Sequence, residues 1–229
     1  MCGRFTQKLS PREVYDLYGV TEPPPSFARE PRYTGAPTQD FAICRVDGGG
    51  RRRIAELRWG LVPSWWKDAG MGPAHINARA ETIHEKLAFA DAYRERRCLV
   101  PANGWFEWQG PSQARQPFYL TLASGMPISF AGIWERWETQ REVIESFAIV
   151  TTPAAAELAD IHHRQPAIVD PDWFAEWLDP SSQANQLLDR LSTPNPGPYE
   201  RRAVSARVNS VQNDDPDILR PVGEQLRLI

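Results

Sequence analysis

The feature that most constrains this chain is how its short apolar runs are distributed. Strand-length stretches rich in β-branched and aromatic residues fall at 41–46, 54–59, 98–101, 105–108, 117–122, 128–133, 143–151 and 167–169. Helical patterns lie between them only irregularly, at 80–93, 153–160, 171–177 and 182–191. A doubly wound sheet needs strand and helix to alternate in order, so this pattern predicts an α+β fold with a mostly antiparallel sheet. The first helix is marked sharply. Ser10 suits the cap, Pro11 the first turn, and Glu13 stands three residues after the cap. Asp170-Pro171 is a second start of the same kind. There is no internal repeat, and Pro23-Pro24-Pro25 and Thr193-Pro194-Asn195-Pro196-Gly197-Pro198 read as stiff loops rather than linkers. A single domain over residues 1–229 is expected, since that length supports one large core.

Composition narrows the class. With 41% hydrophobic and 24% charged residues, wholesale disorder is excluded. No run approaches the roughly 18 apolar residues of a membrane-spanning helix, and MCGRFTQ has no apolar signal region. Cys2, Cys44 and Cys98 are too few and too widely spaced for a disulfide framework or a zinc set, which points to the reducing cytoplasm. Nothing calls for an obligate partner, so a monomer is expected. The cations are 23 Arg against 3 Lys, and Arg is the side chain that grips phosphate and carboxylate with two parallel hydrogen bonds. Residues 1–110 carry a net charge of +3 and residues 111–229 a net charge of −6. A uniformly basic nucleic-acid coat is thereby excluded, while a local basic groove is not.

Five segments could carry chemistry. If Met1 is removed, Cys2 presents an amine and a thiol two carbons apart, with reference pKa values of about 8 and about 8.5. That pair suits an N-terminal nucleophile hydrolase, or capture of an aldehyde as a five-membered thiazolidine; an incidental terminal cysteine would look the same. Asn77 and Arg79 would point the same way on a strand, or else cap the next helix. Glu107, between Phe106 and Trp108, is an acid–base candidate if it faces inward and ordinary surface if it faces out; alternation alone favours the second. His162 and Arg164 offer a proton donor beside an anion clamp, but His162, His163, His75 and His84 complete no metal-ligand spacing. In Arg58-Trp59-Gly60-Leu61-Val62-Pro63-Ser64-Trp65-Trp66-Lys67, Trp59 and Leu61 read as core. Trp65 and Trp66 read as loop aromatics suited to stacking on single-stranded nucleic acid.

Taken together and in order, MCGRF, GAPTQ, RWGLVPSWW, NARAET, RRCLVPANGWFEW, FAGIW, TTPAAAELADIHHRQP and VNSVQNDDP are specific. The sequence resembles the SRAP family, the abasic-site processing proteins once called SOS response-associated peptidases, from Cys2 to about Pro216. The resemblance implies a single SRAP-type domain, α+β, with a barrel-like, mostly antiparallel sheet and flanking helices. It implies catalytic roles for Cys2, Asn77, Glu107 and His162, with Asn77 and Arg79 holding the N-terminus and the DNA backbone around the lesion. Beside these, Arg4 and Arg164 are expected to neutralise neighbouring phosphates and Trp66 to stack at the lesion. The implied partner is single-stranded DNA containing abasic sites, crosslinked through a thiazolidine on Cys2, with no metal and no organic cofactor. An older inference gives the same residues a peptidase activity that removes Met1. Two departures stand out: Gln165 replaces the usual Met of the HxRMP block, and Tyr33-Thr34-Gly35 lacks the usual Asn. The rivals are a class II glutamine amidotransferase, which also begins Met-Cys-Gly, a peptidase acting on other proteins, and a non-catalytic single-stranded DNA-binding module.

Overall fold

The computed structural model describes residues 2–23, 30–70, 75–111 and 114–222. Twelve strands run in chain order: β1 Phe5–Gln7, β2 Arg32–Gly35, β3 Asp40–Val46, β4 Arg52–Trp59, β5 Asn77–Arg79 and β6 Arg97–Ala102. Then follow β7 Gly104–Gln109, β8 Gln116–Leu122, β9 Ile128–Glu138, β10 Val143–Pro153, β11 Arg164–Pro166 and β12 Tyr199–Ala203. The α-helices are α1 Pro11–Tyr18, α2 Ala90–Glu95, α3 Phe174–Leu178 and α4 Ala184–Ser192. In the larger sheet, β10, β4, β3, β6 and β9 are paired in succession, and β9 pairs back onto β10, closing a ring. A second sheet has the order β12-β8-β7-β1-β2. Among the described residues, only β10 with β4 and β10 with β5 pair in parallel, so the sheet is mostly antiparallel, as the sequence predicts. None of the described helices is long and apolar enough to cross a membrane.

Inside the ring, Phe5, Phe41, Trp59, Phe130 and Phe147 pack edge-on or stacked, with the Phe5 and Phe41 rings 4.5 Å apart. Phe5 carries β1 into this core, three residues after Cys2. Gln7 fixes the far end of the strand: its amide donates to the carbonyls of Ala42 and Pro101 and accepts from the Ala42 N–H. Phe5→Ala is expected to cost about 3–5 kcal/mol of stability by opening a cavity. A lowered denaturant midpoint at unchanged slope is the measurement, and an unchanged midpoint would contradict this packing role.

Ser10 and Glu13 form the expected capping box, and α1 ends at Gly19 in the left-handed conformation, φ 62°. Three expectations need correction. The helix expected at 153–160 is a 3₁₀ turn at Ala156–Leu158, with Pro153 still in β10. Residues 80–93 are not one helix, but a 3₁₀ turn at Ala80–Thr82 followed by α2. A continuous helix would place Ile83 and Leu87 on one face. The core instead takes Ile83 completely and leaves Leu87 77% exposed, so packing splits the segment. The strand expected at 167–169 is β11, three residues earlier, where Arg164, Gln165 and Pro166 pair with β10. Its polar residues hide it from a hydrophobic pattern.

Candidate active site

β10 is the spine of one half of the site. β5 runs parallel beside it with Arg79 opposite Thr151, and β11 runs antiparallel with Arg164 opposite Pro153. Asn77 and Arg79 therefore share a face of β5, and His162 sits two residues before β11. β1 and β7 supply the other half. They pair antiparallel at Phe5–Trp105, and the Phe106 N–H donates to the Arg4 carbonyl at 3.0 Å, which carries Cys2 back along β7 toward Glu107.

Glu107 faces inward. Trp105 and Glu107 share the face of β7 toward the ring, while Phe106 packs with Val204, Val208 and Ile218 on the other. Both faces of this strand are covered, so simple alternation misjudges it. Burial pushes the Glu107 carboxyl up to about 7, against the opposing positive charge of the amino terminus. Cys2 is fully buried. Burial raises its thiol well above the ordinary value, and the nearby Glu107 charge adds to the effect. The reference value of about 8.5 therefore does not hold for this thiol: in this pocket the thiolate is disfavoured.

Asn77 holds the cysteine backbone, its Nδ2 donating to the Cys2 carbonyl at 2.8 Å. Its Oδ1 is buried and has no hydrogen-bond partner among the described residues. The His162 Nδ1 lies 3.0 Å from the Arg164 N–H, which can only donate, and 3.1 Å from the Arg164 carbonyl, which can only accept. The neutral ring is served by the first and the imidazolium by the second. Burial leads in lowering the His162 pKa, followed by the amino-terminal charge. Glu107 acts on the Cys2 thiol and lines one cavity together with His162, while Asn77 holds the Cys2 carbonyl, so the four groups lie close together.

Two cavities are lined by the groups that act on Cys2, one by Glu107 and His162 and the other by Asn77. One of about 500 Å³ is lined by Glu107, Trp108, Arg115, Ile161, His162 and His163. The other, about 690 Å³, is lined by Trp65, Trp66, Asn77, Arg79, Lys86 and Phe89, among others. Trp66 is a half-buried loop residue as expected, 5.5 Å ring to ring from His75, its carbonyl accepting from Trp137 Nε1. Arg79 is exposed.

The other two expected DNA contacts are engaged elsewhere. Arg4 donates to Thr34 Oγ1 at 2.7 Å and to the carbonyls of Val208 and Asn209. Asp214 accepts from the Tyr33 and Thr34 N–H groups, and Trp108 Nε1 donates to Asn209 Oδ1, so the late VNSVQNDDP block braces the site from behind. Thr34 thus serves as an acceptor for Arg4 where the resemblance leads one to expect Asn. Arg164 is 8% exposed, paired through both terminal nitrogens with Glu81, and donates to the Thr151 carbonyl at 2.5 Å. Its geometry is that of a clamp between β11 and the end of β5, not of a phosphate contact. Arg164→Ala is expected to destabilise the fold by about 2–4 kcal/mol, because carboxylate and carbonyl lose their donor together. The salt dependence of DNA binding should stay unchanged in that variant; a shallower slope would restore Arg164 as a phosphate ligand.

Gln165, the departure from the HxRMP pattern, is 1% exposed; it accepts from the Ala155 N–H and donates to Tyr199 Oη. Cys44 and Cys98 are buried, the first with its thiol pushed up to about 12. No group of three or more His, Cys, Asp or Glu side chains that could hold a metal occurs among the described residues.

The sequence model of the family described as SOS response associated peptidase (SRAP) matches residues 1–211. The chain belongs to the SRAP family. It is 36% identical to the abasic site processing protein YoaM of Bacillus subtilis over 222 residues, covering 96% of this chain and 97% of that protein. With the abasic site processing protein YedK of Escherichia coli the identity is 30% over 229 residues, covering 97% and 100% of the two chains. Among solved structures, a protein of Bacteroides thetaiotaomicron shares the fold, with a TM-score of 0.81 at 24% identity and coverage of 96% and 99%.

Proposed function

We propose that this protein processes abasic sites in single-stranded DNA by forming a covalent thiazolidine through Cys2 once Met1 is removed. The observation that carries the reading is the grouping of Asn77, Glu107 and His162 about Cys2, together with similarity to proteins named for abasic site processing. An abasic sugar in its open form is an aldehyde. The neutral α-amine attacks that carbonyl to give a carbinolamine, Glu107 donates a proton to the departing hydroxyl, and water leaves. The Cys2 sulfur then adds to the carbon of the resulting iminium, whose nitrogen already bears its proton, and the thiol proton returns to Glu107. One aldehyde and one aminothiol give one thiazolidine and one water.

The depressed acidity of the buried thiol supports amine attack before sulfur attack, and tells against the amidotransferase order, in which the thiolate strikes first. Asn77, already bound to the Cys2 carbonyl through Nδ2, has its buried Oδ1 available to accept from the freed α-amine. His162 donates to the sugar ring oxygen to favour opening, and assists reversal of the crosslink. Arg79 neutralises a backbone phosphate, and Trp66 offers a stacking face at the lesion. The deciding experiment is intact-mass analysis of protein incubated with an oligonucleotide carrying one abasic site. The expected product is protein without Met1 plus DNA minus one water, stable to denaturation. Retained Met1, or glutamine hydrolysis with no adduct, would overturn the proposal.

A further inference from the structure

Most of the arginines of this chain are committed to the protein itself. Arg4, Arg97 and Arg164 bind carbonyls in or near the core, and Arg12, Arg45, Arg53, Arg190 and Arg201 are among those paired with carboxylates. Among the described residues, the guanidinium groups of Arg58, Arg79, Arg115 and Arg141 make no hydrogen bond or ion pair within the protein. Two of these four line cavities that also hold partners of Cys2, Asn77 in one and Glu107 in the other. Arg79 lies in the aromatic one, and Arg115 in the one that holds Glu107 and His162. Arg115 is exposed, beside the start of β8, and close enough to the catalytic cavity for its charge to act on His162.

We propose that Arg115 binds a phosphodiester on one side of the abasic nucleotide, with Arg79 gripping the strand on the other. The inference rests on the proposed chemistry at Cys2. A strand whose sugar lies against Cys2 must leave the site in two directions, and the two cavities are the concave exits. The exit past Asn77 offers aromatic faces and Arg79, which suits bases as well as phosphates. The exit past His162 sets Glu107, His162 and His163 beside Trp108 and Ile161 and holds one uncommitted guanidinium, which suits a phosphate. An arginine there also places the sugar ring over Glu107 and His162, because the phosphate and the sugar carbon are held by the same backbone. Arg115 is therefore a binding and positioning residue for DNA rather than for a free aldehyde.

The test compares the wild type with Arg115→Ala in adduct formation on a single-stranded oligonucleotide carrying one abasic site, at several salt concentrations. Propanal, an aldehyde without phosphate, serves as the control, followed by intact mass. Arg115→Ala is expected to slow crosslinking at subsaturating DNA about tenfold, the measure of one charge-assisted contact. It should also lower the slope against log salt by about 0.7, one phosphate on a single strand. The propanal reaction should be unchanged. In oligonucleotides with one neutral methylphosphonate at each flanking position in turn, one position should slow the wild type and leave the variant no slower. An unchanged rate and salt slope in Arg115→Ala, or an equal loss with propanal, overturns the inference. If the wild type forms no adduct at all, the Cys2 chemistry fails instead. Arg115 is then judged by salt-dependent binding of an oligonucleotide with a tetrahydrofuran abasic analogue, where an unchanged slope overturns it separately.

Discussion

With Cys2 replaced by alanine, no denaturation-resistant adduct is expected on single-stranded DNA carrying an abasic site. The wild type should convert the DNA to a shifted band on a denaturing gel. The reason is chemical rather than structural: alanine keeps the α-amine but removes the sulfur that closes the ring. An imine alone hydrolyses readily, so the amine by itself gives no lasting product. Cys2→Ser separates the two steps. It retains the amine, and borohydride should trap its Schiff base, while the untreated sample shows little or no stable adduct. Because Cys2 is fully buried, each variant needs a melting curve showing that it remains folded. A Cys2→Ala variant that crosslinks as the wild type does would sink the mechanism.

The second large effect is expected at Glu107, where function and stability should move in opposite directions. Its carboxyl titrates near 7 in the folded protein because burial disfavours the charged form. An unfolded glutamate titrates near 4.3, about three units lower. Between those values the folded state holds more protons than the unfolded state, so stability falls as pH rises and levels off above about 7. The destabilisation at pH 8 is on the order of 3 kcal/mol relative to a neutral side chain of the same shape. Glu107→Gln should therefore be more stable than the wild type at pH 8 and indistinguishable from it near pH 4. Denaturant melts across that range measure the difference; a gap that does not widen with pH would refute the buried-acid assignment. The same substitution removes the proton donor for dehydration, and crosslinking should slow by about 10²-fold or more. In the wild type the rate should decline above pH 7 as Glu107 ionises, and that decline should be missing in the Gln variant.

The two arms of this behaviour differ in how visible they are from sequence. Cys2 is legible because an amine and a thiol on one residue is a chemical fact about position 2 and needs no fold. Asn77 and Arg79 are legible as a pair because alternate residues of any strand share a face. Arg4 and Arg164 look like phosphate ligands in sequence, since a guanidinium has the same pattern whether it faces DNA, Glu81 or a backbone carbonyl. Arg115 gives no signal, because its role depends on the residue just before β8 lying in one cavity with a histidine 47 positions later. Glu107 is ambiguous for a related reason: alternation assumes one wet face, and β7 has none.

The sequence by itself determined the class of the fold, the capped first helix, seven of the eight expected strands and the blocks that mark the SRAP family. These depend on local periodicity and on the order of residue types, both of which survive in a linear string. It did not determine β1, β2, β5, β11 or β12, each five residues or fewer and without a clear apolar period. Those strands form because longer neighbours offer them unpaired backbone groups, a long-range condition. The pKa of Glu107, the ion pair of Arg164 and the gathering of Asn77, Glu107 and His162 about Cys2 likewise belong to the tertiary structure alone. Desolvation and charge pairing depend on which groups share a volume, and sequence distance does not record that.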